Sequence, residues 1–183
     1  MKSASVTLLL FLAGMILLPS CKKPSDANDE NEHEAINKLE LTFRQANQPD
    51  RVFIAEDPDG DGGLPPTRID TIRLSVGQNY SVSFRALNIV SGVERDITPT
   101  IQAQANAHEI FYVVTGLGLQ VVKLDTDSRG YPLGILSAWT TPSNMGTGSV
   151  LIKLMHKTGI KGPNDPPNIG HSDLELPMRI EIF

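Results

Sequence analysis

Residues 37–44 read Asn37-Lys-Leu-Glu-Leu-Thr-Phe-Arg44, and their alternation decides the fold. Leu39, Leu41 and Phe43 recur at every second position with Asn37 in phase, and Lys38, Glu40, Thr42 and Arg44 fall between them. Side chains of a strand point alternately to opposite faces, so this is a strand with one apolar and one wet face. The same period returns along the chain. Ile72, Leu74 and Val76 alternate with Thr71, Arg73 and Ser75. Tyr80, Val82, Phe84 and Ala86 follow after Gly77-Gln78-Asn79, and the two runs read as a hairpin. Val150, Ile152, Leu154 and His156 share a second such face, and Leu174, Leu176, Met178, Ile180 and Ile182 share a third. Pro177 donates no backbone hydrogen bond, which places that last run at a sheet edge or beside a bulge.

Shorter apolar runs lie at residues 52–55, 109–115, 117–125 and 133–140. Thr98-Pro99 suits a helix start, because a threonine hydroxyl accepts from the orphan donors and proline has none to satisfy. Ile97, Ile101, Ala105 and His108 would share that helix's face. Antiparallel sheets with one solvated face alternate in this way, whereas parallel sheets do not. The expectation is a mainly β chain: an antiparallel β-sandwich, immunoglobulin-like or transthyretin-like, with one short helix near 98–107.

Upstream of the strands the composition changes. Lys2 precedes an uncharged apolar run from Val6 to Leu18, and Leu18-Pro-Ser-Cys21 closes the segment. The run is too short to span a bilayer, which takes about 20 residues, and fits a secretory signal. A cysteine after a small residue, with leucine three positions before it, resembles the lipobox at which a thiol is diacylated and the signal cut. Cys21 is the sole cysteine of the chain, so no intramolecular disulfide forms, and lipidation gives an exported odd cysteine its reason. The predicted organisation is a lipoprotein signal over 1–20, a lipidated tether over 21–35 and a single sandwich over 36–183. The tether, Lys22-Lys-Pro-Ser-Asp-Ala-Asn-Asp-Glu-Asn-Glu-His-Glu-Ala35, has almost nothing to bury. Its lysines followed by acidic residues resemble a surface-export signal of Bacteroidetes lipoproteins.

Removing residues 1–20, which carry only Lys2, leaves 163 of 183 residues and takes the formal net charge from −5 to −6. That balance does not suggest a nucleic-acid binder, which presents a clustered basic face. The length suits one domain.

The most informative candidate site is Asp57-Pro-Asp-Gly-Asp-Gly-Gly63. Carboxylates at alternate positions converge on a hard cation when glycines let the backbone curl, so Asp57, Asp59 and Asp61 are candidate Ca²⁺ ligands. The position that would complete an EF-hand is Arg68, which excludes that motif, and the plainer reading is a polar turn. Asp125-Thr-Asp-Ser-Arg-Gly130 reads as a hairpin turn with a weaker calcium alternative. Of the four histidines, His33, His108, His156 and His171, the first lies in the tether, His108 begins a strand after the helix and His156 lies on the inner-face register of its strand. Two or three of them meeting at one edge, with Glu109 nearby, would suit zinc, although isolated histidines at strand ends are commoner. No His-Glu-x-x-His, Gly-x-Ser-x-Gly or phosphate-cradling glycine loop occurs.

Several segments together resemble a family of small envelope lipoproteins of Bacteroidetes, chiefly flavobacterial, with no established activity. They are Asn31-Glu-His-Glu-Ala-Ile36, Asp57-Pro-Asp-Gly-Asp-Gly-Gly63, Asp96-Ile-Thr98, Ala107-His-Glu-Ile-Phe-Tyr112, the turn from Asp125 to Gly134, and Leu154-Met-His156. Lys157-Thr-Gly159 departs from the proline-bearing run of that family. The resemblance implies display at the outer membrane, on its periplasmic or surface face, and a non-enzymatic ligand- or partner-binding role accessory to a nutrient receptor. It supplies no catalytic residues. The expected partners are membrane lipid through Cys21 and a receptor or small ligand. The alternatives are a calcium-stabilised display domain and an envelope hydrolase.

Overall fold

The computed structural model describes residues 36–59 and 63–183, which belong to one compact unit. The segment expected to be a signal, Cys21, the expected tether with His33, and Asp61 lie outside the described residues.

Two sheets face each other. The larger is ordered β3-β2-β1-β5-β9-β8, formed by β1 (Lys38–Arg44), β2 (Arg51–Glu56), β3 (Arg68–Ile69), β5 (Asn79–Val90), β8 (Gln120–Lys123) and β9 (Leu136–Thr140). A seventh strand, β6 (Val93–Asp96), pairs with the C-terminal half of β5. The smaller sheet is ordered β4-β11-β10-β7, from β4 (Ile72–Leu74), β7 (His108–Thr115), β10 (Gly146–His156) and β11 (His171–Ile182). All pairings are antiparallel except β4 with β11. The mainly β sandwich read from the alternation is therefore the fold.

The alternating residues meet where the pattern says they should. Leu39, Leu41 and Phe43 of β1 and Val82, Phe84 and Ala86 of β5 are buried, facing Ile152, Leu154, Met178 and Ile180 of the smaller sheet. Trp139 of β9 lies edge-on to Phe43 at 5.1 Å and to Tyr112 of β7 at 5.4 Å between ring centroids, so it links the two layers. Its indole N–H donates to the Ser137 hydroxyl at 2.9 Å, which satisfies the one polar atom it brings inside. The opposite face of the larger sheet is wet. There Lys38 pairs with Glu40 and Glu94, and Arg85 with Glu40 and Asp96.

Two expectations are corrected. Runs 71–76 and 80–87 do not form a hairpin: β4 joins the smaller sheet and β5 the larger. The intervening turn crosses between layers, and other segments satisfy its donors. Val76 N–H donates to the Phe183 carbonyl, Gly77 N–H to the Pro142 carbonyl, and Gln78 N–H to the Thr141 hydroxyl. β5 instead forms a hairpin with β6 through Ser91-Gly92, both at positive φ as a primed two-residue turn requires.

The helix, α1 (Thr98–Ala103), is shorter than the 98–107 expected, and Thr98 is not its cap. The Thr98 hydroxyl instead accepts the Ala86 N–H at 2.9 Å, tying α1 to β5. The Asp96 carboxylate takes the Thr98 N–H at 2.9 Å. After α1, turns carry residues 104–107 into β7, which sets the position of His108. Pro177 stands on the part of β11 that pairs with β10 alone, since β4 covers only Ile180–Ile182. β11 thus lies between β4 and β10 in its sheet and is open only locally at Pro177, while the bulge of the alternative reading lies near the strand's start.

Candidate functional site

The end of the smaller sheet nearest α1 gathers three histidines in one row. On β10, His156 lies directly opposite His108 of β7 on one side and His171 of β11 on the other. Directly opposed residues present their side chains on one face. For His108 that face is the interior one, shared with Ile110 along β7. The rings of His108 and His156 are 4.6 Å apart between centroids.

A β-bulge completes the group. The β10–β11 register shifts between Leu154 and Met155: Leu154 pairs with Leu174 and Met155 with Ser172, so Asp173 is the extra residue. A bulge leaves its extra residue out of the ladder and re-aims a side chain. Here it turns the Asp173 carboxylate toward the histidines. Oδ2 lies 3.5 Å from His108 Nε2 and 3.8 Å from His156 Nδ1, with the side chains of Asp173 and His108 fully buried. His108, His156 and Asp173 are the one group among the described residues whose ligand atoms all fall within 4.8 Å of one another, as a metal ion would need.

The far side of each ring is held. His108 Nδ1 lies 3.2 Å from the Gln104 carbonyl, which can only accept, so Nδ1 carries a proton. In the neutral ring Nε2 is then a bare lone pair. That nitrogen is buried and makes no hydrogen bond. His156 Nε2 contacts the Thr158 hydroxyl at 2.6 Å, which leaves Nδ1 turned to the cluster. Gly170 fixes the approach of β11. Its φ is +96°, and a Cβ there would collide with the His156 carbonyl oxygen.

On the other face of the same strands lies a buried ionic network. Glu109 Oε1 accepts from Lys123 at 2.6 Å and Oε2 from the fully buried Lys157 at 2.8 Å. Lys157 also reaches Asp165 at 3.3 Å. Both ammonium groups lie over the Phe111 ring, at 3.9 Å and 4.5 Å from its centroid. Burial pulls Lys123 below the ordinary lysine value, and Glu109 pushes back against it. Glu109, expected beside a metal, is thus engaged by lysines and is not a ligand of the histidine cluster.

The two described aspartates of the 57–63 loop have different surroundings. Asp57 is buried and lines a cavity of about 60 Å³ together with Ile36, Ser172 and Asp173. Asp59 is exposed and accepts the Leu64 N–H at 3.1 Å, closing its own loop. At 125–130 the turn reading describes the contacts made. Asp127 Oδ1 accepts the N–H groups of Arg129 and Tyr131, and Oδ2 meets Arg129 and Lys161. Burial raises the Asp127 carboxyl, but these donors and cations outweigh it and hold it well below the usual carboxylate range.

Two or three of the four histidines were expected to meet at one edge, and the structure sets His108, His156 and His171 side by side. Asp173 was not among the expected ligands; the two-residue spacing in His171-Ser-Asp173 was the available signal. The chain matches no family model, no curated protein and no solved structure. Among the described residues, no helix is long and apolar enough to cross a membrane.

Proposed function

We propose that this chain is a lipid-anchored, non-enzymatic binding module of the bacterial cell envelope. Cys21 is the anchor, and the end of the sandwich at His108, His156 and Asp173 is the binding end. Two acyl chains make a stable attachment, since each buried methylene contributes about 0.8 kcal/mol. The rigid two-layer scaffold holds its polar groups in place for a ligand, and the resemblance to flavobacterial lipoproteins favours a role beside an outer-membrane nutrient receptor. The observation that carries the reading is the buried His108 Nε2 without a hydrogen bond. A buried polar atom left in that state calls for an explanation, and a ligand supplies one.

Fractionation of cells expressing the full chain tests the anchor. The wild type should sediment with outer membranes, and Cys21→Ser should move to the soluble fraction. Affinity capture from outer-membrane extract tests the role and should recover a receptor. A wild type found soluble, or capture of lipid-processing proteins alone, would remove this reading.

A further inference from the structure

We infer that the binding end takes a divalent transition-metal ion of the zinc class, held by His108 Nε2, His156 Nδ1 and Asp173, with His171 as the fourth ligand. This rests on the reading of that end as the binding site and names its ligand.

The donor set fixes the class of metal. Two imidazoles and one carboxylate suit zinc and its first-row neighbours, whereas calcium takes oxygen ligands. The distances suit it as well. Tetrahedral bonds of about 2.0 Å place ligand atoms about 3.3 Å apart. The Asp173 oxygen stands 3.5 Å and 3.8 Å from the two ring nitrogens, so these two contacts need only small contractions, and all three ligand atoms lie within 4.8 Å of one another.

Each ring is also presented as a ligand ring should be. Metal-bound histidines donate their other N–H to a carbonyl, a carboxylate or water, which fixes the tautomer. The Gln104 carbonyl does this for His108. The Thr158 hydroxyl stands in the same place for His156. His108 Nε2 and the Asp173 carboxylate oxygen stand opposed across 3.5 Å in a buried place, with room for an ion to bond to both.

His171 enters through the register. It lies directly opposite His156, beyond the bulge, and is exposed. Directly opposed Cβ atoms lie about 5 Å apart, so a rotamer change brings its ring to the ion. Three protein ligands leave a zinc site open to water and substrate, whereas four close it. A closed site retains or stores its metal, as a non-enzymatic role requires. The cavity of about 60 Å³ that Asp57 and Asp173 line lies beside the cluster.

The test uses the detergent-solubilised full chain, stripped of metal and titrated with Zn²⁺ against a chromophoric chelator, then with Co²⁺ read by visible absorption. One Zn²⁺ should bind per chain, and Co²⁺ should give the intense bands of a four-coordinate tetrahedral site. Asp173→Asn and His108→Gln, each checked for wild-type circular dichroism, should weaken binding at least 100-fold. His171→Ala should still bind, about tenfold more weakly, with the Co²⁺ bands dimmed toward higher coordination. A folded wild type that binds no stoichiometric metal overturns the inference, as does binding that Asp173→Asn and His108→Gln leave unchanged. Wild-type affinity and spectrum in His171→Ala would overturn the fourth ligand. Cys21→Ser should titrate as the wild type does, so failure of the metal site and failure of the anchor are read separately.

Discussion

Glu109→Ala strips a carboxylate from between two lysines, and the loss should be large. Lys157 is fully buried and is held by Glu109 at 2.8 Å, with Asp165 at 3.3 Å as its second partner. Lys123 keeps about a fifth of its side chain exposed and can turn to water. Breaking a buried pair by removing one partner costs about 3–5 kcal/mol, because the other charge is left uncompensated. Asp165 and the exposure of Lys123 argue for the lower end, about 3 kcal/mol. For a domain of this size that lowers the melting temperature by roughly 6–12 °C. Two ammonium groups would also be left over the one Phe111 ring with no anion between them. Thermal and urea unfolding followed by circular dichroism measure the cost. Glu109→Ala with Lys157→Met should recover most of it, because a hydrophobic replacement of a whole buried pair is often neutral. A single variant that loses under about 1 kcal/mol, or a double variant as unstable as the single, would refute this account of the network.

Gly170→Ala forces a Cβ at positive φ against the His156 carbonyl, and should cost about 2 kcal/mol or more in urea unfolding. Trp139→Ala empties the contact between the layers; a loss of about 3–5 kcal/mol is expected from the same measurement, and under 1 kcal/mol would show that the layers do not depend on it. Asp127 is held below the ordinary carboxylate value in the fold, so its contribution is present above about pH 4 and fades as the pH falls toward its folded value. Asp127→Asn should therefore destabilise at pH 7 and converge on the wild type in acid, and equal destabilisation at pH 7 and pH 2.5 would contradict that sign.

The alternation along β1, β5 and β10 was enough to place two-faced strands, because one residue of slip would turn every apolar side chain outward. What it did not supply was the partner of each strand. Residues 71–76 and 80–87 look locally like a hairpin, and only distant backbone groups at Pro142, Thr141 and Phe183 show that the chain crosses between layers there. The β6 strand, Val-Glu-Arg-Asp, carries no apolar period, since it is exposed throughout and its pairing rests on the Ser91-Gly92 turn and its ladder to β5. Helix length failed for a related reason. Ala105 continues the apolar spacing beyond Ala103, yet the chain has to turn at 104–107 to enter β7.

The histidine row shows what a period of two conceals. Strict alternation from Leu174 and Leu176 puts Asp173, Glu175 and His171 on one side of β11, the wet one. The structure places Glu175 at the surface beside Lys153, while Asp173 is buried against two histidines and His171 lies opposite His156. One inserted residue makes the difference. The bulge takes Asp173 out of the ladder, and every residue before it changes phase, so His171 reaches the face His156 occupies. The core pairs Ile110–Leu154 and Tyr112–Ile152 set the β7–β10 register and bring His108 to that row. Packing alone thus accounts for the His108–His156 pairing but not for the bulge. A continuous ladder would bury Leu174 and Leu176 equally well and leave Asp173 in water. Bulges concentrate where a side chain has to be re-aimed, and here the residue re-aimed is a carboxylate brought to two imidazole nitrogens. That expenditure of regular pairing makes sense if the cluster has work to do, and it locates that work at this end of the sandwich.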